Sequence, residues 1–304
     1  MEAMKWLEGT WSSAQWAEWA ASAPWDFPYD QEAYADALGQ NWGALVGKDF
    51  ALPMAYRTKM GLGTAYIPFG MQQWGPIGTG ANDSKRLHSA IALIPGQFNK
   101  VDIRLHRPSD WQSKSEKWRL QGLRLERWSE KPNYVLDIRG SYENMYKGFN
   151  KQTIRNLKAS QKKSFTLFEH DTPDILLQAF AQYQAGRYKI PEGFSPAMRS
   201  AMYHLLHKGR GAVWSLYAEG NRFMAGVFIA FSGNRAILLF SAISDEGREQ
   251  KAMTHLVNEV LMYVAGRWEI FDFEGSEAEG LARFYAGFGA QNAPYLRYQR
   301  WGLR

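Results

Sequence analysis

Between Lys147 and Lys163 the chain places Lys147, Lys151, Arg155, Lys158, Lys162 and Lys163, and no acid. Intervals of three and four predict that most of these cations share one face of a helix, with Tyr146, Phe149, Ile154 and Leu157 as apolar anchors. Like charges so spaced repel by about 0.2–0.5 kcal/mol per pair. A sequence that tolerates this points to an anionic partner. A phosphate-bearing ligand (nucleotide, coenzyme A or tRNA) fits best, and Lys151, Arg155 and Lys158 are the candidate contacts. A solvated face near internal acids is the alternative.

A second group lies near the C-terminal end. Asp272 and Glu274 flank Phe273, and on a strand both project to the same face. Two carboxylates there can orient or deprotonate an amine; equally, they can bond backbone N–H groups near Gly275 and Ser276. His204 and His207 have no third ligand nearby and Lys208 beside them, so no metal site is expected. His255 reads as a packed residue. Trp111, Trp118 and Trp128 read as core, with stacking on a sugar or base as the alternative. Neither a Gly-x-Ser-x-Gly elbow, a Walker loop nor a dinucleotide fingerprint occurs. Cys is absent, which excludes disulfides, thiolate catalysis and Cys-ligated metal centres.

The elements that must position these residues follow from periodicity and turn chemistry. Helices are expected over 11–22 and 29–39, with Ser12, Ser13 and Asp30 as caps. β-like runs follow at 42–46, 50–57 and 64–68. A helix is expected over 84–94, and strands over 101–106, 118–126 and 134–138. The basic helix leads into a strand at 164–169 and helices near 173–187 and 196–208. Three strands at 212–219, 223–231 and 236–244, joined through Gly220-Asn221 and Gly233-Asn234, read as an antiparallel meander. Met253, Leu256, Val257, Val260, Leu261 and Val264 form the apolar stripe of a helix over 248–265. A strand (269–273), a helix (278–288) and a last strand (295–301) complete the order, with the strand after the long helix running parallel to its predecessor or near it.

The 304 residues predict two domains. At 45% hydrophobic and 22% charged residues, the composition is that of a globular protein and excludes general disorder. Residues 1–145 carry 16 Lys+Arg and 16 Asp+Glu, so the whole formal charge of +6 lies beyond them, where the 147–163 segment alone supplies it. No apolar run reaches the roughly 18 residues of a transmembrane helix, and the N-terminal stretch has no signal-peptide pattern. A soluble cytoplasmic protein is the expectation.

The local sequences also carry a resemblance. Tyr146-Lys-Gly-Phe-Asn-Lys-Gln-Thr-Ile-Arg155-Asn-Leu-Lys158-Ala159 resembles the basic helix of the FemAB family. Phe271-Asp272-Phe273-Glu274-Gly275-Ser276, then Gly280-Leu-Ala-Arg-Phe284-Tyr285 and Phe288-Gly289-Ala290, resembles that family's Phe-Asp-Phe-x-Gly-Ser block and its sequel. The stretch Pro68–Gly75 is similar to segments of the family's first unit. The resemblance implies a FemAB-like member of the GNAT acyltransferase superfamily. The implied fold is α/β (α+β): two GNAT-like units, each a mixed, mostly antiparallel sheet flanked by helices. Residues 1–144 would form a degenerate unit, and 145–304 the unit with FemAB-type motifs.

The activity implied is N-acyl transfer. In FemAB proteins an aminoacyl-tRNA donates to an amino group of a peptidoglycan precursor, whereas related branches use acyl-CoA. No tightly bound cofactor is expected, and the substrate is a phosphorylated small molecule, with tRNA as a further partner. Tyr285 sits where some GNAT enzymes hold a tyrosine general acid; packing beside Phe284 and Phe288 is the alternative. GNAT enzymes that use CoA open the helix after the fourth strand with a Gly-rich turn. Here the segment is Asp245–Met253, where only Gly247 and Ala252 are small. A helix N-terminus there can still receive an anion if Arg248 and Lys251 screen Glu246 and Glu249. This departure favours the FemAB branch. A GNAT-like module that binds without catalysis is the other class.

Overall fold

A computed structural model describes residues 4–9, 13–38, 41–113, 116–187, 190–275 and 277–302. Ser12 and Ser276 therefore lie outside the described residues. The chain divides into two compact units, Met1–Lys131 with Pro294–Arg304, and Pro132–Ala293.

The first unit contains β1 (Lys5–Leu7), α1 (Ser13–Ser22), α2 (Glu32–Ala37), β2 (Trp42–Val46), β3 (Ala51–Lys59), β4 (Leu62–Tyr66), α3 (Ser84–Ala92), β5 (Phe98–Leu105), β6 (Arg119–Gln121) and β7 (Arg124–Lys131). Its eighth strand is Tyr295–Gly302, which is β15 in chain order. The sheet runs β1-β2-β3-β4-β5-β15-β7-β6. Alternation in β5 buries Val101, Ile103 and Leu105, and β15 answers with Leu296 and Tyr298, as the period of two requires. Asp83 starts α3 by accepting from the Lys85 and Arg86 amides, an N-cap worth about 1 kcal/mol. The core also holds a buried hydrogen bond, His106 Nε2 to Asp30 Oδ2 at 2.7 Å, with Asp30 Oδ1 accepting from the Gly75 amide at 3.1 Å. Two expectations change here. The strand expected over 118–126 is a hairpin, turned at Gly122-Leu123 with Gly122 at φ +62°. Trp118, read as core, is 42% exposed, whereas Trp111 and Trp128 pack on each other and on His88 inside this unit as expected.

The second unit follows as β8 (Tyr134–Asp137), α4 (Tyr142–Lys147), α5 (Lys151–Ser160), β9 (Thr166–Phe168), α6 (Pro173–Tyr183), α7 (Phe194–His207), β10 (Gly211–Ala218), β11 (Arg222–Ser232), β12 (Arg235–Ile243), α8 (Asp245–Glu249), α9 (Ala252–Val264), β13 (Ile270–Asp272), α10 (Glu279–Gly287) and β14 (Gln291–Asn292). Its sheet runs β14-β8-β13-β12-β11-β10-β9. The meander β10-β11-β12 is antiparallel, and β13 joins β12 in parallel after the α9 crossover. The apolar stripe of α9 is buried from Leu256 to Val264.

Pairing partners set the unit boundary. β8 pairs with β13 and β14, so the division falls at Lys131/Pro132 and not at 144/145. The last strand pairs with β5 and β7, so it belongs to the first unit. Both sheets mix parallel and antiparallel pairs and are flanked by helices, consistent with two GNAT-like units. Among the described residues, no helix is long and apolar enough to cross a membrane.

Candidate functional site

The two motif-bearing segments of the second unit meet at one seam. Phe149 packs edge-on against Phe288 at 5.1 Å. The Asn150 amide donates to the Gly287 carbonyl at 2.9 Å. The Asn150 side chain accepts from the Thr153 amide at 2.8 Å, capping α5. Gly287 is required by proximity, since a Cβ there would lie 2.4 Å from Thr153 Oγ1. At Gly289, with φ +85°, a Cβ would lie 3.1 Å from the Gly148 carbonyl. The C-terminal turn of α10 therefore fixes the N-terminus of α5.

That contact also breaks the basic segment in two. Gly148, Phe149 and Asn150 separate α4 from α5, so Lys147 ends one helix and Lys151, Arg155 and Lys158 line the next. On α5 the buried side is Thr153, Leu157 and Ser160. Lys151, Arg155 and Lys158 lie on the opposite side, exposed, and Lys162 and Lys163 are exposed just past the helix end. Among the described residues no acid forms an ion pair with any of the six; Arg155 donates to Gln152 at 2.6 Å and Lys147 to Asn144 at 3.4 Å. The anchors and the spacing hold, but the cations occupy two helices and a turn.

Asp272 and Glu274 do not share a face. β13 ends at Asp272, and Glu274 has φ +59°. This left-handed residue ends the strand alternation. Asp272 is fully buried. Arg235 Nη1 lies 3.1 Å from its Oδ2, Asn133 donates to the same oxygen at 3.4 Å, and the Glu274 amide donates to Oδ1 at 2.9 Å. Burial pushes its carboxyl upward, against the pull of Arg235 and these donors. Glu274 is half-buried, and its carbonyl accepts from the Tyr134 amide at 3.2 Å. Tyr285 is buried, with its ring 4.9 Å from Phe273 and 6.0 Å from Tyr134. It thus walls the same strand end.

Arg248 and Lys251 lie where the expected 248–265 helix divides. Lys251, exposed and at φ +61°, separates α8 from α9. Ser244 caps α8 through the Gly247 amide at 3.0 Å. A Cβ on Gly247 would lie 2.0 Å from the Met224 carbonyl, so Gly247 serves helix–strand packing. Glu246 is bound by Arg222 at 3.0 Å, and Arg248 lies 3.8 Å from Asp245. Lys251 donates to the Arg248 carbonyl at 3.4 Å. Sequence reasoning missed Arg235, Asn133 and Asn150. Asn150, at the start of a helical period, carried an N-cap signal; the other two are joined to Asp272 only by the folded sheet.

Residues 150–291 match the family model of the acetyltransferase (GNAT) domain. That match lies within the second unit's residues 132–293. Among solved structures, the chain is similar to FemX, with a TM-score of 0.64 at 13% identity, covering 99% of this chain and 98% of that one. It is also similar to a conserved protein of unknown function from Bacteroides thetaiotaomicron (TM-score 0.58, 11% identity, 99% and 100% covered). The third is the C-terminal domain of a putative lysylphosphatidylglycerol synthetase from Agrobacterium fabrum (TM-score 0.55, 13% identity, 94% and 92% covered). At these identities the likeness establishes the fold. No curated protein matches the sequence.

Proposed function

We propose that the protein is an N-acyltransferase moving an activated acyl or aminoacyl group to an amine. In its most concrete form, aminoacyl-tRNA is the donor and a peptidoglycan precursor the acceptor. The observation that carries this reading is the α5 ridge: Lys151, Arg155 and Lys158 stand exposed with no acid partner among the described residues, on a helix fixed by the other FemAB-like block. Five donors on an arginine and three on a lysine suit phosphate oxygens. The GNAT match over the same helix and the likeness to FemX in fold support it.

The amine nitrogen attacks the acyl carbon. Its N–C bond forms as the donor's C–O or C–S bond breaks, the amine proton goes to a base, and the leaving atom takes a proton. Glu274 is our candidate base, because it is the less buried residue of the pair and its backbone is held in a strained conformation. Asp272 and Tyr285 are placed as positioning residues for that turn. Acyl-CoA is the second donor reading. The capped, interrupted α8–α9 segment, with Arg248 and Lys251 beside it, favours it less than a Gly-rich turn would.

Thermal-shift measurements with charged tRNA, a UDP-muramyl peptide and acyl-CoA test the reading. A ligand at 100 times its Kd adds about 2.7 kcal/mol to stability. The expected result is a rise with the peptide precursor or charged tRNA that Arg155→Ala with Lys158→Ala abolishes, while the ligand-free melting point is unchanged. Undiminished affinity in that double variant refutes the phosphate role; a rise with acyl-CoA alone replaces the donor.

A further inference from the structure

The first unit has an exposed apolar row that the acyl-transfer reading does not use. Strand register places Leu120 opposite Leu125, Leu125 opposite Trp301, Trp301 opposite Lys100, Lys100 opposite Thr64 and Thr64 opposite Arg57. Directly paired residues share a face, so this is one line across six strands, roughly 24 Å long. It lies on the side away from Val101, Ile103 and Tyr298, which face the core. Leu120 is 74% exposed and Trp301 44%, and the adjoining turns add Leu123 at 78% and Met60 at 92%. Apolar exposure gathered in this way marks an interaction surface.

Charge selects the occupant. Among the described residues, Arg57, Lys59 and Lys100 on this face form no ion pair, while Arg119 and Arg124 alternate to the opposite face of the hairpin. Asp102, the acid on the same face, is already held by Arg297 through two 2.7 Å bonds and by Gln299. The face therefore presents leucines among free cations. Lys100 Nζ lies 4.3 Å from the Trp301 ring centre, which couples an ammonium to an amphipathic indole, a residue type enriched at headgroup depth. A second copy on the same patch would oppose cation to cation. We infer that this face docks on an anionic lipid bilayer, with the Leu120–Leu125 turn entering the acyl boundary and the cations meeting lipid phosphates.

Flotation of the full chain with vesicles tests this independently of acyl transfer. The expected result is binding to phosphatidylglycerol–phosphatidylcholine vesicles, weakened by salt, and little binding to phosphatidylcholine alone. Leu120→Ser with Leu123→Ser should lower the bound-to-free ratio about tenfold or more. Arg57→Gln and Lys59→Gln should each lower it roughly fivefold. Melting points should stay unchanged, since these side chains are exposed. The α5 variant Lys151→Ala, Arg155→Ala, Lys158→Ala should still float. The inference is overturned by absence of flotation with anionic vesicles, or by equal flotation of the leucine variant. Loss of flotation in the α5 variant alone also overturns it, as does a lipid-free dimer that the leucine variant abolishes.

Discussion

Glu274 holds a left-handed backbone conformation at φ +59°, which costs a residue with a side chain about 1–2 kcal/mol. The surroundings over-determine it, since its amide is bound by Asp272 and its carbonyl by Tyr134. Strain kept in place by a buried carboxylate points to use of the side chain. Two substitutions separate use from architecture. Glu274→Gln should lower the transfer rate by about 10²–10⁴-fold, the range of a general base. Glu274→Gly should be equally inactive yet melt no lower, because glycine adopts this φ at little cost. A Gln variant that transfers at the parental rate removes the base assignment. Asp272 belongs to a different category. With Arg235 on one oxygen and the Glu274 amide on the other, its carboxylate is consumed by structure.

At the level of elements, the N-terminus of α5 depends on α10. Gly287→Val drives side-chain atoms into Thr153 and Asn150. Overpacking of this kind costs about 1–3 kcal/mol, and loss of the Asn150 cap adds about 1 kcal/mol. The expected outcome is a lower melting point together with weaker ligand response, although Gly287 carries no charge. A variant that loses stability but keeps full ligand response would separate the cap from the ridge. The cationic spacing and the α9 stripe were legible in the sequence because both are periodic. The interruptions at Gly148–Asn150 and Lys251 were not, since hydrophobic period reports the face of a helix and is blind to an extended cap such as Asn150 or a single left-handed residue such as Lys251. The same blindness put Asp272 and Glu274 on one face.

For the whole molecule, most strands and helices were legible from local pattern, but the assignment of strands to sheets was not. β8 and β15 read as strands from their own residues; which sheet each joins depends on partners far along the chain, Asp137 with Ile270 and Leu296 with Leu105. A chain ending at Ala293 should therefore lose the strand between β5 and β7 while keeping every strand of the second sheet. Calorimetry should show the transition of the second unit preserved and that of the first abolished or shifted far down. Two unshifted transitions would contradict the assignment.

That late strand also imposes a schedule on biosynthesis. Residues 132–293 leave the ribosome before Tyr295 does, so the domain encoded second is the first able to finish folding. Until then β5 and β7 wait with an unfilled slot between them, two open strand edges in a nascent polypeptide. The exposed interval lasts about 10–30 s at ordinary elongation rates. Molecular chaperones have that long to shield the gap.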